Sequence, residues 1–286
     1  MSPRSQDAGV VLVNVLVVLA IAGGLMLVLI STQGAATDRV LRAADAAVVE
    51  QIAFGAEASV VDALRRDLDD GPETDHLNEP WALGVIQNEV VLPTGEFSVQ
   101  VTDLQAKFDI NQLADANAGT QAFAQRLMIA LDQPPQIANQ IIRILAFTGP
   151  VGSLDDLLSF GVAPEALAAM RPYVTALPVQ GTVNLNSVDP FLLGVMLQNR
   201  SQASQLIRLR EGRGSLTLED LSRANVLRPQ NSGLISNAYS VDILAQAGDA
   251  EIRLQSTIVR STERGAKTVE ITGRRFVYEQ PDSAEQ

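Results

Sequence analysis

Five carboxylates crowd one short stretch: Asp67, Asp69, Asp70, Glu73 and Asp75, set around Gly71. Ca²⁺ takes six to eight oxygen ligands, and a carboxylate-rich turn supplies several of them. The spacing is not that of an EF-hand loop, which ends in a glutamate at its twelfth position. The other reading of these residues is a solvated acidic helix end. His76 follows at once and is the sole histidine, so a two-histidine zinc site is excluded. Cysteine is absent, which removes disulfides, thiolate metal sites and a cysteine nucleophile. No G-x-S-x-G elbow, Walker loop or H-E-x-x-H helix occurs. Paired carboxylates carry no signal in a chain with 33 acidic residues. The expectation is a protein without catalytic residues.

The charge count is 21 Lys+Arg against 33 Asp+Glu, a net −12. Neutralising phosphates takes a basic surface, so nucleic acid is not an expected partner. Arg200, Arg208, Arg210 and Arg213 form a local basic cluster, and a solvated helix face accounts for it. The turns at 132–136 and 198–203 lack the glycine-rich pattern whose backbone N–H groups meet phosphate. Trp81 reads as a packing anchor rather than a ligand platform. Hydrophobic residues make up 47% of the chain, enough for a sizeable core, and 286 residues amount to about two domains.

The N-terminus carries a different chemistry. A polar leader ends on Gly9, and Val10 to Ile30 is then apolar except for Asn14. At 1.5 Å per residue, about 20 helical residues cross a hydrocarbon core of about 30 Å. A secretory signal has a shorter apolar core, of 7–15 residues; a plain signal anchor is the other alternative. A glycine between a short polar leader and a long apolar helix resembles a type IV prepilin signal. Prepilin peptidase cuts such signals after the glycine, here between Gly9 and Val10. Pilins usually carry glutamate at the fifth mature position, which pairs with a neighbour's amine in the filament. Here that filament-contact position is Asn14.

Helical periodicity continues past the membrane through Leu41, Ala44, Val48, Ile52, Val61, Leu64 and Leu68. The breaker Asp70-Gly71-Pro72 ends this helix. Residues 96–103 alternate as a half-buried strand, with Phe97, Val99 and Val101 on one side. Alternation returns at Tyr239, Val241 and Ile243, then at Ile252, Leu254 and Ile258, then at Val269 and Ile271. The breaks at 247–249 and 264–265 suit hairpin turns. Between the strand regions the chain reads as helical. Its start signals are Asp189-Pro190, Ala163-Pro164, and the capping-box-like pairs Ser153/Asp156 and Thr217/Asp220. A weak internal repeat relates Phe108-Asp109-Ile110-Asn111 to Val183-Asn184-Leu185-Asn186, and the segment at Gly152 to that at Gly214. Two units resembling helix-hairpin-helix or SAM-like modules would account for it.

The junction at Gly9, the segments LNEPWA (77–82), VTDLQAKFDINQL (101–113), VNLNSVDPFLL (183–193) and GRGSLTLEDL (212–221) together resemble the K-type minor pseudopilin of type II secretion systems, general secretion pathway protein K. That family typically lacks the mature-chain glutamate, and Asn14 agrees, although most relatives have an apolar residue there. Ala8 stands where a basic residue is common. The resemblance implies an α+β fold: a pilin-like long N-terminal helix and small antiparallel sheet, with a large all-α insertion. The divisions would be a leader 1–9, a transmembrane part 10–30, a pilin-like body 31–103, a helical insertion 104–238, C-terminal strands 239–279 and a flexible tail 280–286. It implies a structural subunit of the bacterial inner membrane, single-pass, with its bulk in the periplasm. The partners implied are prepilin peptidase, the I-type and J-type minor pseudopilins and the major pseudopilin filament. Calcium occurs in related pseudopilins, so the resemblance also implies a calcium site without fixing which acids bind it. The competing reading is a membrane-anchored helix-hairpin-helix DNA receptor.

Overall fold

The computed structural model describes residues 6–83, 89–115, 117–263 and 265–277. The start of the expected leader and the expected tail 280–286 lie outside the described residues. Helix α1 runs from Gln6 to Asp70 without interruption. It stops where Gly71 and Pro72 remove helix propensity and a backbone donor. Its second half lies on a five-stranded antiparallel sheet. The strands are β1 (Val90–Leu92), β2 (Gly95–Asp103), β7 (Ala238–Ala247), β8 (Ala250–Glu263) and β9 (Ala266–Val277), adjacent in that order. Val49, Ile52, Ala53, Ala56, Val60 and Leu64 of α1 pack on Val99, Val241, Ile243, Leu254, Ile258 and Val269. The expected helix stripe differs at its upper end, because Leu41 is exposed. The sheet ends near Asp45, whose carboxylate lies against the β7–β8 turn at Gly248. Gly248 has φ 56°, and a Cβ there would come within 2.5 Å of that carboxylate. Both facts demand glycine at this turn.

Asp103 ends β2 and pairs in register with Tyr239 of β7. Everything between leaves the sheet and returns to the neighbouring strand. This excursion has its own core, built on Phe108, Leu127, Ile141, Leu157, Met170, Leu192 and Leu206. It contains helices α2 (Ala118–Ala130), α3 (Gln136–Thr148), α4 (Pro164–Met170), α5 (Pro190–Leu197), α6 (Arg200–Arg213) and α7 (Leu218–Arg223). Four two-residue strands tie it off: β3 (Phe108–Asp109) runs parallel to β4 (Val174–Thr175), and β5 (Val183–Asn184) parallel to β6 (Ser232–Gly233).

The repeat is structural. Each half opens with a strand whose polar side chain accepts from the backbone two residues on: Asp109 from Asn111 N–H at 3.0 Å, Asn184 from Asn186 N–H at 3.0 Å. Asn111 then clamps Val151 through both its N–H and C=O, and Asn186 clamps Leu216 the same way. Just beyond each clamp a capping box starts a short helix: Ser153/Asp156 over the 3-10 helix Leu154–Phe160, Thr217/Asp220 over α7. The helical pairs α2–α3 and α5–α6 turn at Asp132 (φ 57°) and Gln198 (φ 53°).

Candidate functional site

Two places carry unusual chemistry: the bare half of α1, and the junction where the helical insertion meets the sheet.

Gly9, Val10 and Asn14 all lie within α1. From Leu12 to Ile30 the side chains are exposed, and the most apolar window has a mean hydropathy of 2.8. The helix is long and apolar enough to cross a membrane. Below it, Ser31, Thr32 and Thr37 return their hydroxyls to carbonyls three or four residues back, at 2.9–3.0 Å. That spares polar groups at the end of an apolar segment. Asn14 is exposed on this helix and offers an amide where a carboxylate would carry charge.

The junction is built around Arg260. Strand β8 points Leu254, Ser256, Ile258 and Arg260 at the buried side, by the two-residue period of a strand. The Arg260 side chain is 2% exposed. Its Nη1 donates to Asp67 Oδ2 at 2.5 Å, and its Nη2 to Asp75 and, at 2.7 Å, to the carbonyl of Ser236. The guanidinium lies 5.0 Å from the Tyr239 ring centre. Burial alone would lower its pKa, but Tyr239, Asp75 and Asp67 raise it, so the charge persists. Trp81 meets Tyr239 edge-on at 5.1 Å and donates to Glu79 Oε2 at 3.0 Å. Glu79 also accepts from the His76 N–H at 2.5 Å. Burial, together with a hydrogen bond to Asp67, pushes the Glu79 carboxyl up to about 8, so it holds a proton at neutral pH. Burial also raises Asp75, against the pull of Arg260.

A second polar knot adjoins the first. Asp103 accepts from Ser236 Oγ at 2.5 Å, from Asn184 Nδ2 at 3.1 Å and from Gln105 N–H at 2.7 Å. Asp75 Oδ2 accepts from Ser236 N–H at 2.6 Å, and Asn184 donates to the Asp75 carbonyl at 3.0 Å. Gln105 reaches the Thr182 carbonyl and receives the Asn237 N–H. The segments 101–113 and 183–193 thus contribute a shared buried joint between the sheet and the insertion.

The five acids of 67–75 do not share one site. Asp67 and Asp75 converge with Glu79, their oxygens within 4.8 Å of one another. Asp69 pairs instead with Lys267 at 3.4 Å, and Asp70 and Glu73 are exposed. Helix geometry separates them, because 67 faces the sheet while 69 and 70 turn away. Arg260 already bonds two of these carboxylates, so a calcium ion would have to compete with the guanidinium for Asp67 and Asp75. Glu79 and Arg260 carry no local sequence signal for this role; only the burial of a charged residue in an alternating strand hints at it. Within the basic cluster, Arg210 donates to the carbonyls of Leu185 and Val188, and Arg213 pairs with Asp220. Arg200 and Arg208 are exposed.

Neither a family model nor a curated protein sequence matches the chain. Among solved structures, it is similar to a chain of the GspK-GspI-GspJ complex from the type 2 secretion system of enterotoxigenic Escherichia coli. The TM-score is 0.63 at 18% identity, over 84% of this chain and 99% of that one. The two chains share one fold. The shared fold is the α+β arrangement described above, in which a long N-terminal helix, a small antiparallel sheet and further helices combine. The shared fold spans nearly the whole of that neighbour.

Proposed function

We propose that this chain is a K-type minor pseudopilin, a non-catalytic subunit at the tip of a type II secretion pseudopilus. The observation that carries the reading is the excursion between Asp103 and Ala238, which puts a second core beside one edge-to-edge strand pair of a pilin-like body. A helical filament is a heterologous, non-closing assembly, so a shaft subunit accepts neighbours above and below. A domain-sized insertion obstructs the upper contact and is tolerated only at the end. The amide of Asn14 agrees, since a topmost subunit has no amine above it that needs a carboxylate. The similarity to a chain of a GspK-GspI-GspJ complex supports I-type and J-type minor pseudopilins as partners. In this reading prepilin peptidase cuts between Gly9 and Val10, the apolar half of α1 stays in the inner membrane, the bulk is periplasmic, and the tip primes the major pseudopilin filament for export of folded proteins.

The test is position and dependence. Gold labelling of an epitope placed in the insertion is expected at one end of isolated pseudopili. Removal of the gene is expected to stop both pilus assembly and export. Label spread along the shaft, or normal export without the gene, rejects the tip role.

A further inference from the structure

Strand β9 is the last of the sheet, and its far side is open. It pairs with β8 from Ala266 to Val277, and among the described residues none of its backbone groups bonds to anything else. In an antiparallel pair every second residue turns its N–H and C=O away from the partner strand. Over its 12 residues β9 therefore presents a row of unpaired donors and acceptors, and most of its side chains are exposed. Such an edge is normally shortened, bulged or blocked by charge. Here the register shift, beside Thr257 and Ile258, leaves Ala266 to Ile271 in unbroken register. The cations turn back from the edge. Lys267 donates to the Leu68 carbonyl at 2.8 Å, Arg274 pairs with Glu57 at 2.5 Å, and Arg275 donates to Gln255 of β8.

The core is also unfinished along this edge. Phe54, Glu57, Val61 and Leu68 fall on one flank of α1 by helical spacing. The bonds of Glu57 to Arg274 and of Leu68 to Lys267 set that flank beside β9. The Phe54 ring meets Phe276 edge-on at 6.1 Å. Phe54, Val61, Leu68, Ile271 and Phe276 are only partly buried, whereas Val60, Leu64 and Val269 are sealed in the core. A half-open apolar groove thus runs beside the open row of backbone groups.

We infer that β9 takes up an extended segment of a different polypeptide as a sixth strand of the five-stranded sheet, with apolar side chains at alternate positions facing α1. A polypeptide backbone is the ligand whose donors and acceptors repeat at the spacing of the edge, and the groove beneath selects its alternate side chains. The chain's own segments do not fit. Antiparallel pairing with β9 of a second copy reverses α1, so the two apolar rods would leave in opposite directions, which one membrane cannot accept. Parallel pairing about a two-fold axis along the strands turns the copy's apolar face away from the groove. The opposite edge strand, β1, has three residues, too few to match β9. Residues 278–286 are too few to double back along the whole strand, and Pro281 lacks a donor. The inference goes beyond the pseudopilin reading, and its test measures binding on this chain alone.

The experiment is hydrogen exchange of the full chain in lipid nanodiscs, with and without the blocked peptide acetyl-Thr-Val-Thr-Ile-Ser-Val-Lys-amide. The outward amides within 266–271 are expected to exchange at least tenfold more slowly with the peptide, and those of β1 at an unchanged rate. The same peptide with an N-methylated backbone keeps the side chains and loses the donors, and is expected to protect nothing. Val61→Lys puts a charge into the groove while its amine still reaches water, and is expected to weaken the protection at least tenfold. The N-methylated control uses the wild-type chain and stands if that variant fails to fold. No slowing with about 1 mM peptide, equal protection by the N-methylated peptide, or full protection in Val61→Lys overturns the inference. Protection of 266–271 that needs no peptide and rises with protein concentration overturns it too, and makes a second copy the occupant.

Discussion

Arg260 brings a full charge into the joint between helix, sheet and insertion, and two carboxylates follow it there. Removing one member of a buried ion pair leaves the other charge unpaired, at about 3–5 kcal/mol. Arg260→Met is therefore expected to destabilise the fold by that amount in urea titration. Because the guanidinium is the cation of this cluster, a calcium chelator is expected to leave the melting temperature of the wild-type chain unchanged. The protonated Glu79 sets a pH dependence. Its carboxyl moves from 4.5 to about 8 on folding, so the folded state binds the extra proton in between. Stability from this group is complete below about pH 4.5 and is lost as pH rises through about 8. Asp109, raised by burial to about 6, acts with the same sign over a lower window. Glu79→Gln is expected to flatten the fall in melting temperature between pH 6 and 9; an unchanged slope would place the proton elsewhere.

At the scale of elements, two polar anchors set the register of α1 on the sheet. Glu57 holds Ser256 and Arg274, and Asp67 holds Arg260. Ten helical residues span about 15 Å, and the four-residue step from Ser256 to Arg260 spans about 13 Å, so both anchors engage only in one alignment. The asparagine clamps play the matching role in the insertion. Asn111→Ala strands the N–H of Val151, and Asn186→Ala strands that of Leu216, at about 1–3 kcal/mol for each unpaired group. Hydrogen exchange is expected to quicken at Val151 in the first variant and at Leu216 in the second, each without the other. Coupled acceleration at both sites would mean that the two halves open as one unit.

The whole molecule divides into a bare apolar rod, a helix-on-sheet body and a helical lobe fastened by the buried knot of Asp75, Asp103, Asn184 and Ser236. The rod is exposed from Leu12 to Ile30, and burying such a surface in lipid or in a filament is what gives it a stable state. The pseudopilin reading makes its sharpest prediction here. Co-expression with a prepilin peptidase is expected to yield a mature chain starting at Val10, by mass spectrometry. Gly9→Leu is expected to leave the chain nine residues longer. A mature mass that Gly9→Leu does not alter would reject the cleavage site.

Local rules written in the sequence determined α1 and its end at Asp70, the strands flanking Val99, Val241 and Leu254, the two capping boxes, and Trp81 as a packing residue. Each depends on residues within a few positions of one another, where periodicity, caps and breakers act. The halves of the repeat were faintly legible because Asn111 and Asn186 must each clamp a backbone amide. Tertiary structure alone decided the rest. Arg260 meets Asp67 and Asp75 across 193 and 185 positions of chain. Asp103 meets Ser236 across 133. Strands β3 to β6 are too short to have a period of their own. The acids of 67–75 look alike in sequence, yet helix phase sends Asp67 inward to an arginine and Asp69 outward to Lys267. Sequence supplies the charges; only the folded chain decides which of them lose water and must find a partner.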